Sequence, residues 1–191
     1  MTKPRLITKK GLIAGAALAV LVVVLLATLP VGASGSHGSH LSTLADANLA
    51  TAAFQDVEEA EAAGYISTLG PGEGSLGCFE NASMGGMGVH YLKPSLLDAT
   101  VDHREPEALV YELDHLGQIT DLVAHEYIVP VDAWSENQLP RLFGQRFHQH
   151  PVLPLYVLHA WIWKDNPAGT FEDFNPKVRL CPDGVPVFGE N

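Results

Sequence analysis

Hydrophobic and polar residues follow a helical rhythm near the start of the chain. Residues 43–63, TLADANLATAAFQDVEEAEAA, carry a narrow apolar stripe at helical spacing and are rich in alanine, the best helix former. Thr43 followed by Asp46 is typical of a helix N-terminus, and Gly64 is a natural stop. The pattern therefore predicts one helix over residues 43–63, which packs closely on a sheet because its apolar side chains are small.

The second half of the chain has the pattern of strands. ALVYEL (108–113) and ITDLVAHEYIVP (119–130) flank a short turn containing Gly117, which predicts a β-hairpin. GVHYL (88–92) predicts a further short strand. PLYVLHAWIW (154–163) is almost continuously apolar, so we expect a strand that is buried on both faces.

These elements predict an α+β fold in which an N-terminal helix packs on a small antiparallel β-sheet or barrel. Side chains alternate between the two faces of a strand, so the hairpin register decides which residues lie together. If Leu113 pairs with Ile119, one face of the hairpin carries Val110, Glu112, Thr120, Leu122, Ala124 and Glu126.

The first 33 residues differ in kind from the rest. MTKPRLITKK carries four positive charges and no acid, and an uncharged apolar stretch follows from Gly11 to Ala33. This pattern predicts a signal peptide or, because the apolar run is long enough to cross a bilayer, an N-terminal membrane anchor formed by residues 11–33. Either way the basic start places the remainder outside the cytoplasm, so we expect a secreted or membrane-anchored extracytoplasmic protein.

The predicted organisation has three parts. Residues 1–33 form the signal peptide or membrane anchor, and residues 34–42, SGSHGSHLS, form a flexible Gly/Ser linker. Residues 43–191 form a single extracytoplasmic α+β domain. If the N-terminal segment stays uncleaved, we expect it to attach the protein to the membrane.

Charge excludes one class of partner. The leader holds four of the 11 Lys and Arg residues and none of the 22 acidic ones, so the remainder carries a formal charge of −15. A basic surface that would release counterions from a nucleic acid is absent from this composition, so we expect no nucleic-acid partner.

Cys78 and Cys181 are the two cysteines of the chain. An even pair in an exported domain usually forms a disulfide, and no CxxC motif is present to suggest a redox or metal role. A bridge between them would close a loop of about 100 residues, worth roughly 4.7 kcal/mol in the chain-entropy model.

The candidate chemistry lies in histidines and glutamates from separate parts of the chain. Imidazoles together with a carboxylate suit first-row transition metals such as zinc, iron or copper. Met84 and Met87, in the glycine-rich stretch CFENASMGGMGVHY, would favour copper(I), although methionines also fill gaps in a core. The candidate metal ligands are His90, His148, His150, His159, Glu112 and Glu126.

Two alternatives to a metal site remain open at this stage. Trp161, Trp163 and Tyr111 could wall an aromatic pocket that binds a small molecule without metal, or contacts another protein. The chain could also be a tethered structural domain whose histidines supply charge as the pH falls. No catalytic residue is assigned, since neither HExxH nor GxSxG occurs in the sequence.

Several phrases of the sequence resemble those of a group of exported, uncharacterised bacterial proteins. They include GGMGVHY, PEALVYE and LHAWIWKDNPAGTF, and the resemblance spans roughly residues 50–182. It implies a bacterial and exported setting and no particular activity, cofactor or catalytic residue.

Overall fold

One antiparallel sheet organises the part of the chain that the computed structural model describes, residues 37–69 and 76–188. Seven strands form it in the order β1-β3-β4-β5-β9-β8, and β2 pairs with β3 beside β1. A separate two-stranded ribbon pairs β6 with β7. The strands are β1 (Ile66–Ser67), β2 (Cys78–Asn81), β3 (Gly85–Leu92), β4 (Ala108–Leu113), β5 (Ile119–Pro130), β6 (Arg141–Leu142), β7 (Gln145–Arg146), β8 (His148–Gln149) and β9 (Leu155–Ala160).

The hairpin prediction is confirmed, including its strand bounds and the pairing of Leu113 with Ile119. The prediction for Leu122 is wrong, because register irregularities beside Tyr111 place Leu122 opposite that tyrosine. Leu122 therefore packs in the same core cluster as Tyr111 rather than beside Glu126. The register is regular again at Ala108, which pairs with Glu126.

The predicted single helix is divided into three pieces. α1 (His37–Ala50) is followed by a 3-10 turn (Ala52–Gln55) and α2 (Val57–Ala62). Thr51 and Asp56 cause the break, because short polar side chains compete for backbone hydrogen bonds. The Thr51 hydroxyl bonds back to Ala47 O at 3.0 Å, and the Asp56 carboxylate caps α2 by accepting from Glu58 N at 3.0 Å. α1 begins before the predicted start at Thr43, within the predicted linker.

The two faces of the sheet are covered by different parts of the chain. The helical segment covers one face, where Ala47 and Ala60 are fully buried against strand residues. Phe174, Val178 and Phe188, from the irregular C-terminal segment, pack over the opposite face. The predicted α+β character agrees with this arrangement of a mostly antiparallel sheet and few helices.

The glycine-rich strand β3 lets the C-terminal segment approach closely. Gly86 exchanges backbone hydrogen bonds with Asn175 and Val178, at 3.0 and 3.2 Å. A Cβ atom at Gly86 would lie 2.2 Å from Arg179 O, so a larger residue there would push the segment away. The glycines of β3 thus allow its backbone to lie close to the backbone of the C-terminal segment.

The predicted leader, residues 1–33, lies outside the described residues. Among the residues that are described, no helix has both the length and the apolar character needed to span a bilayer.

Candidate metal centre

Three neighbouring positions on one face of the sheet bring two histidines and a glutamate together. His90 lies on β3, Glu126 on β5 and His159 on β9. Glu126 pairs directly with His159 across the strands, and on its other side it faces Ala108 of β4. His90 pairs with Val110, two positions along β4 from Ala108, so the glutamate meets the imidazole of His90 diagonally across the intervening strand.

The three side chains are close enough to share one ion. One ligand atom from each lies within 4.8 Å of the other two. Glu126 Oε2 is 3.2 Å from His90 Nε2, and Glu126 Oε1 is 3.8 Å from His159 Nε2. Ligands that each lie about 2.0–2.2 Å from a tetrahedral zinc ion are separated by roughly 3.3–3.6 Å.

All three residues are buried, and the imidazoles lack aligned hydrogen bonds. His90, Glu126 and His159 are 4%, 7% and 1% exposed. None of the four ring nitrogens of His90 and His159 makes a hydrogen bond of acceptable geometry, although three lie near carboxylate oxygens, two at Glu126 and one at Asp173. Buried polar atoms are nearly always hydrogen-bonded in native proteins, so buried nitrogens that meet only poorly aligned carboxylate oxygens require an explanation.

The electrostatics of the cluster favour an ionised glutamate. Burial raises the pKa of Glu126, but the nearby His159 and His90 lower it by more, so the pKa lies below its ordinary value. A buried carboxylate that stays ionised beside two imidazoles is the charge pattern of a cation site.

Asp173 supports the cluster from behind. Its Oδ1 lies 3.3 Å from His159 Nδ1, and its Oδ2 lies 3.3 Å from His148 Nε2. Burial alone would raise the pKa of Asp173, but its contacts with both imidazoles hold that pKa well below its usual range. The contact between Asp173 and His148 also raises the pKa of His148. A carboxylate on Nδ1 directs the lone pair of Nε2 towards the position of an ion, as outer partners of metal-bound histidines do.

The backbone on both sides of Asp173 is fixed. The Trp161 indole donates to Glu172 O at 2.5 Å, and the Asn166 amide donates to Phe174 O at 3.0 Å. The chain therefore leaves β9 after His159, turns, and returns with Asp173 held against the same histidine.

A cavity of about 220 Å³ opens onto the cluster. His90, Glu126, His159 and Asp173 line it, together with His148 and His150. Most of the remaining lining side chains are apolar. Of the predicted ligands, His148 and His150 thus reach the same chamber but lie outside the three-residue group.

Glu112, the other predicted carboxylate ligand, lies elsewhere. It forms an ion pair with Lys164 and accepts a hydrogen bond from Arg179 N at 2.9 Å. These partners balance its charge, and Glu112 does not line the chamber.

The three aromatic residues proposed as pocket walls point into other surroundings. Trp161 bonds to Glu172 O, Trp163 Nε1 lies 3.4 Å from His125 Nε2, and Tyr111 donates to Phe54 O at 2.6 Å. None of the three lines the chamber, whose aromatic walls come from phenylalanines instead.

The disulfide between Cys78 and Cys181 is confirmed, with an S–S distance of 2.04 Å. It is consistent with an oxidising, extracytoplasmic environment. The bridge ties the C-terminal segment to β2, and both cysteines are thereby excluded as thiolate ligands. Of the two methionines, Met87 lines the chamber, whereas Met84 is 47% exposed.

Asp173 is the residue that sequence reasoning missed. Its stretch, FEDF, lies in a segment with no regular periodicity, so nothing local indicates that it returns to β9.

The chain matches no protein-family model, no curated protein and no solved structure at a significant level. Its function has to be inferred from the site.

Proposed function

We propose that this protein is an extracytoplasmic domain that binds a divalent first-row transition metal ion through His90, Glu126 and His159. The observation that carries the proposal is that two buried imidazole nitrogens, His90 Nε2 and His159 Nε2, face one ionised carboxylate without an aligned hydrogen bond. A metal ion would be coordinated by one nitrogen of each ring and by the carboxylate of Glu126.

An ion pair without metal explains the cluster less well. If both histidines were protonated, two cations with ring centroids 5.9 Å apart would be buried beside Glu126, and all four nitrogens would be donors. Buried charges of that kind are normally hydrogen-bonded. If both were neutral, each ring would have one nitrogen that only accepts, and the carboxylates beside the rings offer these buried nitrogens no donor.

The ligand types narrow the choice of ion. Two imidazoles and one carboxylate occur in catalytic zinc sites and in the facial triad of non-haem iron(II) proteins. Zinc and iron(II) therefore fit the three ligands better than copper(I), which prefers thiolate and thioether sulfur.

Three protein ligands leave coordination positions open towards the chamber. Structural zinc sites usually have four protein ligands, whereas catalytic sites keep one for water or substrate. The arrangement supports a site at which a small molecule meets the ion, and a metalloenzyme is the activity class that this geometry favours.

Elemental analysis tests the proposal directly. Protein purified without a histidine tag, and dialysed against a metal-free buffer after loading with zinc or iron(II), is expected to retain one equivalent of metal. His90→Ala and His159→Ala should each lose it while keeping the fold, as judged by circular dichroism. The matched control is His115→Ala, in the exposed turn between β4 and β5, which should retain metal as the wild type does.

A protein that retains no metal, and whose melting temperature is unchanged by zinc, iron(II) or a chelator, would rule out the proposal. The chamber would then favour the second candidate, a module that binds small molecules without metal.

A further inference from the structure

The chamber beside the cluster has a composition that points to a class of ligand. We propose that it holds the apolar body of a small molecule whose single oxygen-bearing head group coordinates the ion. This inference rests on the proposed metal binding and adds the substrate class to it.

The walls of the chamber are apolar on two sides. Aliphatic side chains form one core cluster with Ala108, and phenylalanines from β2 and the C-terminal segment form another. Both sets line the chamber; the aliphatic wall comprises Leu92, Leu97, Ile128, Leu155 and Val157, and the aromatic wall comprises Phe79, Phe174 and Phe188.

Most polar groups in the lining belong to one connected cluster. Contacts of 3.2–3.8 Å run from His90 through Glu126, His159 and Asp173 to His148. Elsewhere in the lining, the Glu80 carboxylate is engaged by Cys181 N at 2.5 Å. A ligand therefore meets concentrated polarity at the ion and apolar surface around it, which suits a molecule with one polar end.

His150 adds a second polar contact for the head group. Its Nδ1 accepts the backbone N–H groups of Val152 and Leu153, at 3.1 and 2.9 Å. A neutral ring held in this way carries its proton on Nε2. The Nε2–H of this tautomer is then available to donate to an oxygen of the ligand.

The volume of the chamber limits the size of the apolar body. An apolar cavity of about 150 Å³ is known to admit benzene, and pockets for drug-sized ligands measure about 300–1,000 Å³. A chamber of about 220 Å³ lies between the two. It fits one aromatic ring or a short alkyl chain together with its head group.

Straight-chain alkyl hydroxamates are suitable probes, because the head group binds zinc and the tail can be lengthened. Isothermal titration of the zinc-loaded protein with acetohydroxamate, butanohydroxamate, hexanohydroxamate and octanohydroxamate should show affinity rising about fourfold for each buried methylene. The rise should stop once the chamber is full, at about the length of hexanohydroxamate.

Two variants from different elements test whether the tail occupies the chamber. Leu155→Trp on β9 and Leu97→Trp after β3 each place a large side chain in the aliphatic wall, and both leucines are only partly buried, so folding should survive. We expect each variant to lose most of the gain in affinity that the wild type shows from acetohydroxamate to hexanohydroxamate. Leu116→Trp, 71% exposed in the β4–β5 turn, is the matched control and should keep the full gain.

Zinc content, measured on every sample, separates this inference from the metal proposal. Stoichiometric zinc with an affinity that is flat along the series, or equally altered by Leu116→Trp, overturns the ligand class and leaves the metal site standing. Absence of bound zinc overturns both. Tail-dependent binding that persists unchanged in His90→Ala shows that the head group does not coordinate the ion, and it also overturns the inference.

Discussion

Adjacent residues of β5, His125 and Glu126, face opposite sides of the sheet and belong to two very different polar clusters. On the helix-covered face, His125 is fully buried, and its Nε2 lies 2.8 Å from the Thr51 hydroxyl. Its Nδ1 lies 3.3 Å from the hydroxyl of Tyr127, and the indole N–H of Trp163 reaches Nε2. Burial lowers the pKa of His125 to about 3, so this histidine is neutral, and both its nitrogens have partners.

On the other face, His90 and His159 are nearly as buried, but their nitrogens make no aligned hydrogen bonds. The comparison shows that burial of a histidine is not by itself a sign of function. A buried imidazole whose two nitrogens both have hydrogen-bond partners is part of the core, whereas buried imidazoles that converge on a shared carboxylate without aligned hydrogen bonds have the properties of a metal site.

The largest effect is expected from removing the charge of the shared carboxylate. Glu126→Gln keeps the size of the side chain but loses the anionic ligand, so zinc affinity should fall more than a hundredfold, beyond the roughly 10–100-fold typical of outer partners. Competition with a chromophoric chelator measures it. Glu112→Gln is the control, since it changes a carboxylate that is paired with Lys164 outside the chamber, and zinc affinity should not change. Equal losses in the two variants would mean that position 126 has no special role.

His125→Ala should destabilise the hydrogen-bonded cluster around His125 and leave metal binding unchanged. It removes a packed ring and leaves the Trp163 N–H without its acceptor, so the free energy of unfolding should fall by about 2–3 kcal/mol. Urea denaturation of the metal-free protein measures this loss. Zinc stoichiometry at low temperature should remain that of the wild type; if the folded variant lost zinc, the distinction between the two clusters would be mistaken.

Asp173→Asn should weaken the metal centre less than the loss of a direct ligand. The amide can still contact His159, but it no longer stabilises a proton on Nδ1 as a carboxylate does, so zinc affinity should fall about 10–100-fold. The same chelator competition measures it. Asp165→Asn, a neighbouring exposed carboxylate paired with Lys177, serves as control. An unchanged affinity in Asp173→Asn would remove Asp173 from the site.

Glu107 is a buried carboxylate outside both clusters, and its replacement is expected to have the smallest effect of the four. It accepts a hydrogen bond from Ile128 N at 2.8 Å, yet burial raises its pKa from 4.5 to about 8. Protonated Glu107 contributes fully to the free energy of unfolding below pH 4.5, the pKa of the group in the unfolded chain. This contribution is lost as the pH rises towards 8, its pKa in the folded protein. The folded state retains the proton in that range, whereas the unfolded chain releases it.

Glu107→Gln should abolish this loss. The unfolding free energy of the wild type relative to the variant should decline by about 1 kcal/mol per pH unit between about pH 5 and 8. Urea denaturation across that range measures the difference. A constant difference between the two proteins would show that Glu107 has an ordinary pKa when folded.

Local pattern located the strands that carry the ligands, although the strand predicted over residues 154–163 ends at Ala160 and the one predicted over 88–92 begins at Gly85. The periodicity of residues 108–130 predicted both strands of the hairpin, and the Leu113–Ile119 pairing followed from the turn. Because strand side chains alternate, the even-numbered position of Glu126 could be separated from that of His125 before any contact was known. The same reasoning failed at Leu122, where the register shifts next to Tyr111.

Helix breaks and loop paths could not be predicted in the same way. The alanine-rich stretch reads as one helix by propensity, but the hydrogen bonds of Thr51 and Asp56 divide it. Glu112 and Glu126 look equivalent in the pattern of the hairpin. Only their surroundings, Lys164 for one and two histidines for the other, distinguish them.

The sequence by itself determined the strand pattern, the acidic character of the chain, the cysteine pair and an inventory of ligand types, because these depend on composition and on spacing within a few residues. The tertiary structure decided which inventory members meet. His90, Glu126 and His159 are brought together by the pairing of β3, β4, β5 and β9, and Asp173 by a loop that docks on Gly86. Such contacts join residues far apart in the chain, and their geometry is fixed by packing and backbone hydrogen bonds that no local pattern encodes.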